Sequence, residues 1–109
     1  MFLSRVREAA AASGTVIHAV HTADELLEAC RSEVPSLLLL DLDSPRVGAL
    51  EALRRLRTEA LAPDVASLGF FSHVHPERGR DALAAGCGRV LPRSAFVKEL
   101  PGLLAPPRG

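Results

Sequence analysis

Apolar positions along this chain follow two rhythms that take turns. In LSRVREAAAAS, residues 3–13, Leu3, Val6 and Ala10 share one face of a helix, and Gly14 stands where a helix stops. TVIHAV, 15–20, is short and β-branched and predicts a strand. Thr22 with Glu25 three residues on has capping-box spacing, opening a helix over 22–32 that turns Leu26, Leu27 and Cys30 inward and ends before Pro35. SLLLLD, 36–41, is apolar without alternation, as in a strand covered on both faces.

A DSPRVG turn follows. ALEALRRLRTEA then sets Leu50, Ala52, Leu53 and Leu56 on one side of a helix and Glu51, Arg54, Arg55 and Arg57 on the other. DVASLGFF, 64–71, predicts a strand in which Gly69 marks a bend or a close approach. Pro76 suits the first turn of a helix over 76–85 that stops at Gly86, and GRVL is a short strand. SAFVKELPGLL predicts a helix capped by Ser94 and limited or kinked by Pro101, and APPRG, 105–109, is expected to be a disordered tail. Strict helix–strand alternation with short connections means a parallel sheet with helices on both faces. Sites in such sheets form beyond the carboxyl ends of the strands, where Asp41 falls.

A length of 109 residues points to one domain, assigned to 3–104. Basic and acidic residues balance at 13 each, so the positive surplus that nucleic acid demands is lacking. No apolar run approaches the ~20 residues of a membrane span. Two cysteines, Cys30 and Cys87, fit reduced cytoplasmic thiols packed in a core rather than a disulfide framework.

LLLLDLDSPRVGALEALRRLR resembles the strand, phosphoacceptor Asp, proline turn and third helix of CheY-like receiver domains of bacterial response regulators. HPERGRDALAAGCGRVLPRSAF is similar to their fourth helix, Ala-Gly turn, fifth strand and Lys-Pro corner. The resemblance implies a flavodoxin-like (CheY-like) fold with Asp41 at the phosphoacceptor position and Arg93 at that of the lysine. The Ser/Thr switch position falls on Phe71, with Ser72 one residue later.

In that family a first strand and an acidic pair precede the first helix, whereas this chain opens inside that helix. The first strand is therefore expected to be absent, leaving 15–20 and 36–41 either paired directly or with open edges. Phosphoryl transfer needs Mg²⁺ gathered by converging carboxylates, and Asp41 with Asp43 is a poor substitute for three. Asp43 has an equal explanation in turn chemistry before Ser44-Pro45. Arg93 is planar and bulkier than lysine, and Phe71 cannot hydrogen-bond a phosphoryl oxygen.

The expectation is a degenerate pseudo-receiver: a stand-alone, non-enzymatic, cytoplasmic module of two-component or phosphorelay signalling. It would act by protein contacts, with phosphorylation lost or impaired and no cofactor. Its partners would be a histidine kinase, an output protein or a second copy. The family's output face carries over to 76–104, with Val97, Leu100 and Arg93 as contacts. The alternative is a true phosphoacceptor, using Mg²⁺ at Asp41, whose first strand lies upstream of an internal Met1.

Other signals read more simply. His73 and His75 lack a third ligand at suitable spacing, so no metal site is expected. Arg54, Arg55 and Arg57 read as a solvated face, and Phe70, Phe71 and Phe96 as core or interface. HTADE after the first predicted strand has no glycine-rich phosphate loop, which ranks a nucleotide-binding domain last.

Overall fold

A computed structural model describes residues 2–44, 48–61 and 64–104. Pro45 in the DSPRVG turn, the 105–109 tail and the side chain of Leu3 lie outside the described residues. The chain divides into two compact units, residues 20–93 and residues 1–19 with 94–109.

In the larger unit, α2 (Ala23–Ser32), β1 (Leu37–Asp41), α3 (Ala49–Thr58), β2 (Ala66–Phe71), α4 (Pro76–Ala84) and β3 (Arg89–Pro92) follow in order. The three strands form one parallel sheet in the order β1-β2-β3. Register pairs Leu37 with Ala66 and Asp41 with Phe70, then Leu68 with Arg89 and Phe71 with Pro92. Parallel strands need a crossover, which α3 and α4 supply. Helix α3 packs against both α2 and α4, and α4 lies on β2 and β3.

The core of this unit gathers Leu26, Leu27 and Cys30 of α2, Leu38 and Leu40 of β1, Ala52, Leu53 and Leu56 of α3, and Ala82 and Cys87. Both cysteines are free and buried. Burial pushes the Cys30 thiol up, as expected of a packing residue. The leucine run is less symmetric than its composition implies: Leu38 and Leu40 are buried, while Leu37 and Leu39 are only half-buried. β1 is an edge strand, and alternate burial follows from a pleat whose two faces differ.

Local chemistry closes the helices. The Thr22 side chain accepts from Glu25 N at 3.1 Å, and Glu25 reaches back to His21 N at 3.1 Å. Helix α4 ends with Gly86 at φ 109°, Cys87 N donating to Ala82 O and Gly86 N to Leu83 O. Helix α3 ends through the same pattern, Leu61 N to Leu56 O and Ala60 N to Arg57 O, but with Ala60 at φ 53°. A Cβ in the left-handed region costs about 1–2 kcal/mol, part of which glycine returns to the unfolded chain as entropy. Ala60→Gly is accordingly expected to stabilise the protein by about 0.5–1 kcal/mol, read as a higher urea midpoint.

The smaller unit holds α1 (Phe2–Ser13) and, beyond its first residue, α5 (Arg93–Leu104). Val6 and Ala10 are buried on α1, and Phe96, Leu100 and Leu104 form a buried stripe at four-residue spacing on α5. The Thr15 hydroxyl donates to Leu104 O at 2.9 Å.

Two expectations are corrected. Residues 15–20 form no strand; they lie outside any ladder, with Val16 82% exposed. β-branching makes a segment fit for a sheet but supplies no partner strand. Ser94 is not a cap, because α5 already begins at Arg93. Pro101 lies inside α5, which runs on to Leu104 as SAFVKELPGLL predicts. A proline there removes one late hydrogen bond, to Val97 O, and the helix continues past it.

Candidate functional site

β1 delivers Asp41 to the carboxyl edge of the sheet, opposite Phe70. The ladder continues one residue as Leu42 N donates to Phe70 O at 3.0 Å. Gly69 makes room for that residue: a Cβ there would lie 2.9 Å from Leu42 Cδ1. The close approach expected at Gly69 is thus made by the chain's own leucine. The backbone then turns on the Asp41 side chain, whose Oδ1 accepts from Asp43 N at 2.9 Å, an Asx turn.

The turn aims the Asp43 carboxylate inward. Its Oδ2 accepts from Ser72 N just past β2 at 2.8 Å and from Arg93 Nε at 3.0 Å, and its Oδ1 from Arg78 Nη1 of α4 at 2.7 Å. Arg93 also spans Asp41, with Nη2 at 3.1 Å from Oδ1 and 3.3 Å from Oδ2. Its guanidinium lies 5.6 Å from the Phe70 ring centroid, a cation–π distance. The Asp43 side chain is 13% exposed and that of Asp41 34%. Burial pushes the Asp43 carboxyl up, but hydrogen bonds from Arg78, Arg93 and Ser72 N, with the charge of Arg93, outweigh it and hold the group below its ordinary value.

The structure therefore brings Asp41, Asp43, Ser72 and Arg93 together. Ser72 contributes its backbone N–H, while its hydroxyl accepts from Val74 N at 3.4 Å. Phe71 ends β2 at the same edge, but its ring lies over α4: a Cβ at Gly79 would sit 2.7 Å from Phe71 Cε1. Leu100 is a correction. It is 3% exposed and cannot offer contact area to a partner, whereas Val97 is half-buried.

Sequence reasoning missed Arg78 and underrated Asp43. A signal for Arg78 existed, since a helix entered from the carboxyl end of a strand places its first turn at the site edge. His75 Nδ1 lies 3.3 Å from Glu77 Oε1. Among the described residues, no three His, Cys, Asp or Glu side chains converge as metal ligands.

Mg²⁺ does not fit this arrangement. Each oxygen of Asp41 and Asp43 accepts from a guanidinium or backbone N–H, and two arginine charges balance the two carboxylates. A dication drawing on both carboxylates would compete with Arg93 at Asp41 and with Arg78 and Arg93 at Asp43.

Five helices and a parallel sheet of three strands match the receiver (CheY-like) fold, and comparison with solved structures gives the same class. The receiver domain of NtrX from Brucella abortus superposes with a TM-score of 0.75 at 18% identity, covering 90% of this chain and 82% of that one. A CheY-like receiver domain protein from Methanospirillum hungatei gives 0.72 at 18% identity over 94% and 84% of the two chains. The phosphorylated cyanobacterial phytochrome response regulator RcpA gives 0.75 at 17% over 93% and 81%. The transcriptional activator protein ExaE of Pseudomonas putida is 31% identical over 83 residues, 76% of this chain. The chain spans 38% of that relative's length. No protein-family model matches the chain. Among the described residues, no helix is long and apolar enough to cross a membrane.

Proposed function

We propose that residues 3–104 work as a receiver-like signalling module of two-component or phosphorelay type, acting by protein contacts, with phosphorylation of Asp41 lost or impaired. The observation that carries this reading is the closed pairing of Asp41 and Asp43 with Arg93, Arg78 and Ser72 N. A carboxylate whose oxygens are held by a guanidinium is a poor nucleophile, because attack must first break charge-assisted hydrogen bonds. The site then serves as a structural hinge-pin and not as a reaction centre. The module is non-enzymatic and cytoplasmic in this reading, and its partners are an output protein or a histidine kinase.

Incubation with acetyl phosphate and Mg²⁺, followed by intact mass, is expected to leave the chain unmodified. A ¹⁹F NMR titration with beryllofluoride is expected to show no saturable complex. Labelling that disappears in Asp41→Asn would instead establish a working phosphoacceptor.

A further inference from the structure

We propose that Asp43 is the resident anion of an oxyanion site built from Ser72 N–H, Arg78 and Arg93, and that by filling this site it pins the β2–α4 connection and shuts out diffusible oxyanions. The inference deepens the proposed function and rests on it for the closed state of the site. Three donors from three places in the chain, the end of β2, the first turn of α4 and the start of α5, converge on one carboxylate at 2.8, 2.7 and 3.0 Å. Two guanidinium groups and a backbone N–H are the donor set that recognises carboxylate or phosphate. Here the ligand is covalently part of the chain, two residues beyond the end of β1. Its effective concentration is therefore far above that of any small anion in solution.

The chemistry of the site is complete without Asp43. Removing only that carboxylate leaves Ser72 N–H and two arginines facing a space the size of a small oxyanion. With the clamp gone, nothing else described holds the Ser72 amide: its hydroxyl serves the following turn, and Asp41 is bonded to Arg93 and Asp43 N. The segment from Ser72 to the head of α4 would then open more readily, as loops with few internal bonds do.

Amide hydrogen exchange and ¹⁵N NMR on the full chain test this without a phosphodonor, so its failure is separate from failure of the phosphorylation reading. In Asp43→Ala, exchange at the Ser72 amide is expected to rise on the order of tenfold, matching loss of a charge-assisted bond. Added formate, the carboxylate-sized probe, or inorganic phosphate should reverse it and shift the Ser72 resonance saturably. The further change Arg78→Ala should abolish the response. The wild-type resonance should not respond saturably to either anion. A folded Asp43→Ala chain whose Ser72 amide neither loosens nor responds overturns the proposal, as does saturable anion binding at Ser72 in the wild type. If the alanine chain does not fold, the wild type decides: a trans-hydrogen-bond coupling between Ser72 N and Asp43 Cγ is expected, and its absence overturns the proposal.

Discussion

Leu27→Ala is expected to destabilise the protein by about 2–5 kcal/mol, a large share of the roughly 5–15 kcal/mol that holds a domain of this kind together. Leu27 is 0% exposed and sits in the cluster that joins α2 to β1 and α3. Deleting its isobutyl group removes transfer free energy and leaves a cavity that helices tied at both ends cannot collapse into. The polar links between α2 and α3 do not compensate. Arg31 pairs with Glu59, and Arg55 with Asp24 at 2.6 Å, all on exposed side chains. Such pairs contribute roughly 0–1 kcal/mol each. Urea unfolding at neutral pH measures the loss as a lower midpoint at unchanged slope. A loss under about 1 kcal/mol would mean that α2 is held by its ion pairs and not by burial.

Arg93→Ala is expected to cost about 1–3 kcal/mol, because it strips one donor from a largely buried carboxylate and both long contacts from Asp41. The acid limb of stability should change as well. The folded-state carboxyl of Asp43 lies below its ordinary value of 3.8, so its contribution is fully present above that value. The contribution is lost as pH falls through the folded-state value, when the proton enters and the bonds to Arg78, Arg93 and Ser72 weaken. Without Arg93 the carboxyl rises toward its ordinary value. The variant should then lose less stability on acidification below 3.8 than the wild type does. Urea midpoints at neutral pH and across the acid range check both statements. Arg93→Lys should recover only part of the neutral-pH loss, since one ammonium cannot bridge two carboxylates as a planar fork does. An acid limb identical in wild type and Arg93→Ala would remove Arg93 from the account of Asp43.

Much of the architecture was legible from local pattern. Five helices, the strand ending in Asp41 and the two later strands all follow from periodicity, from Thr22 with Glu25, and from glycine stops. The resemblance to receiver domains implied that Asp41 and Arg93 share one site, and their side chains meet at 3.1 Å. What escaped was of another kind. TVIHAV has every local property of a strand yet joins no strand ladder among the described residues, since pairing belongs to two segments and not to one. Asp43 looked like half of a turn and proved to be the hub, because its partners lie far along the chain.

The sequence by itself determined where helices begin and end and which faces they bury, and it put an acid at the tip of an apolar strand. Those outcomes depend on neighbours within about four residues, and the same physics acts on any chain with that pattern. Only the tertiary structure decided what the acid two residues further on, Asp43, meets. Ser72, Arg78 and Arg93 reach Asp43 from 29, 35 and 50 residues away, through a sheet that stacks three strand ends side by side. Once folded, that juxtaposition holds the Asp43 carboxylate between two guanidinium groups and a backbone N–H.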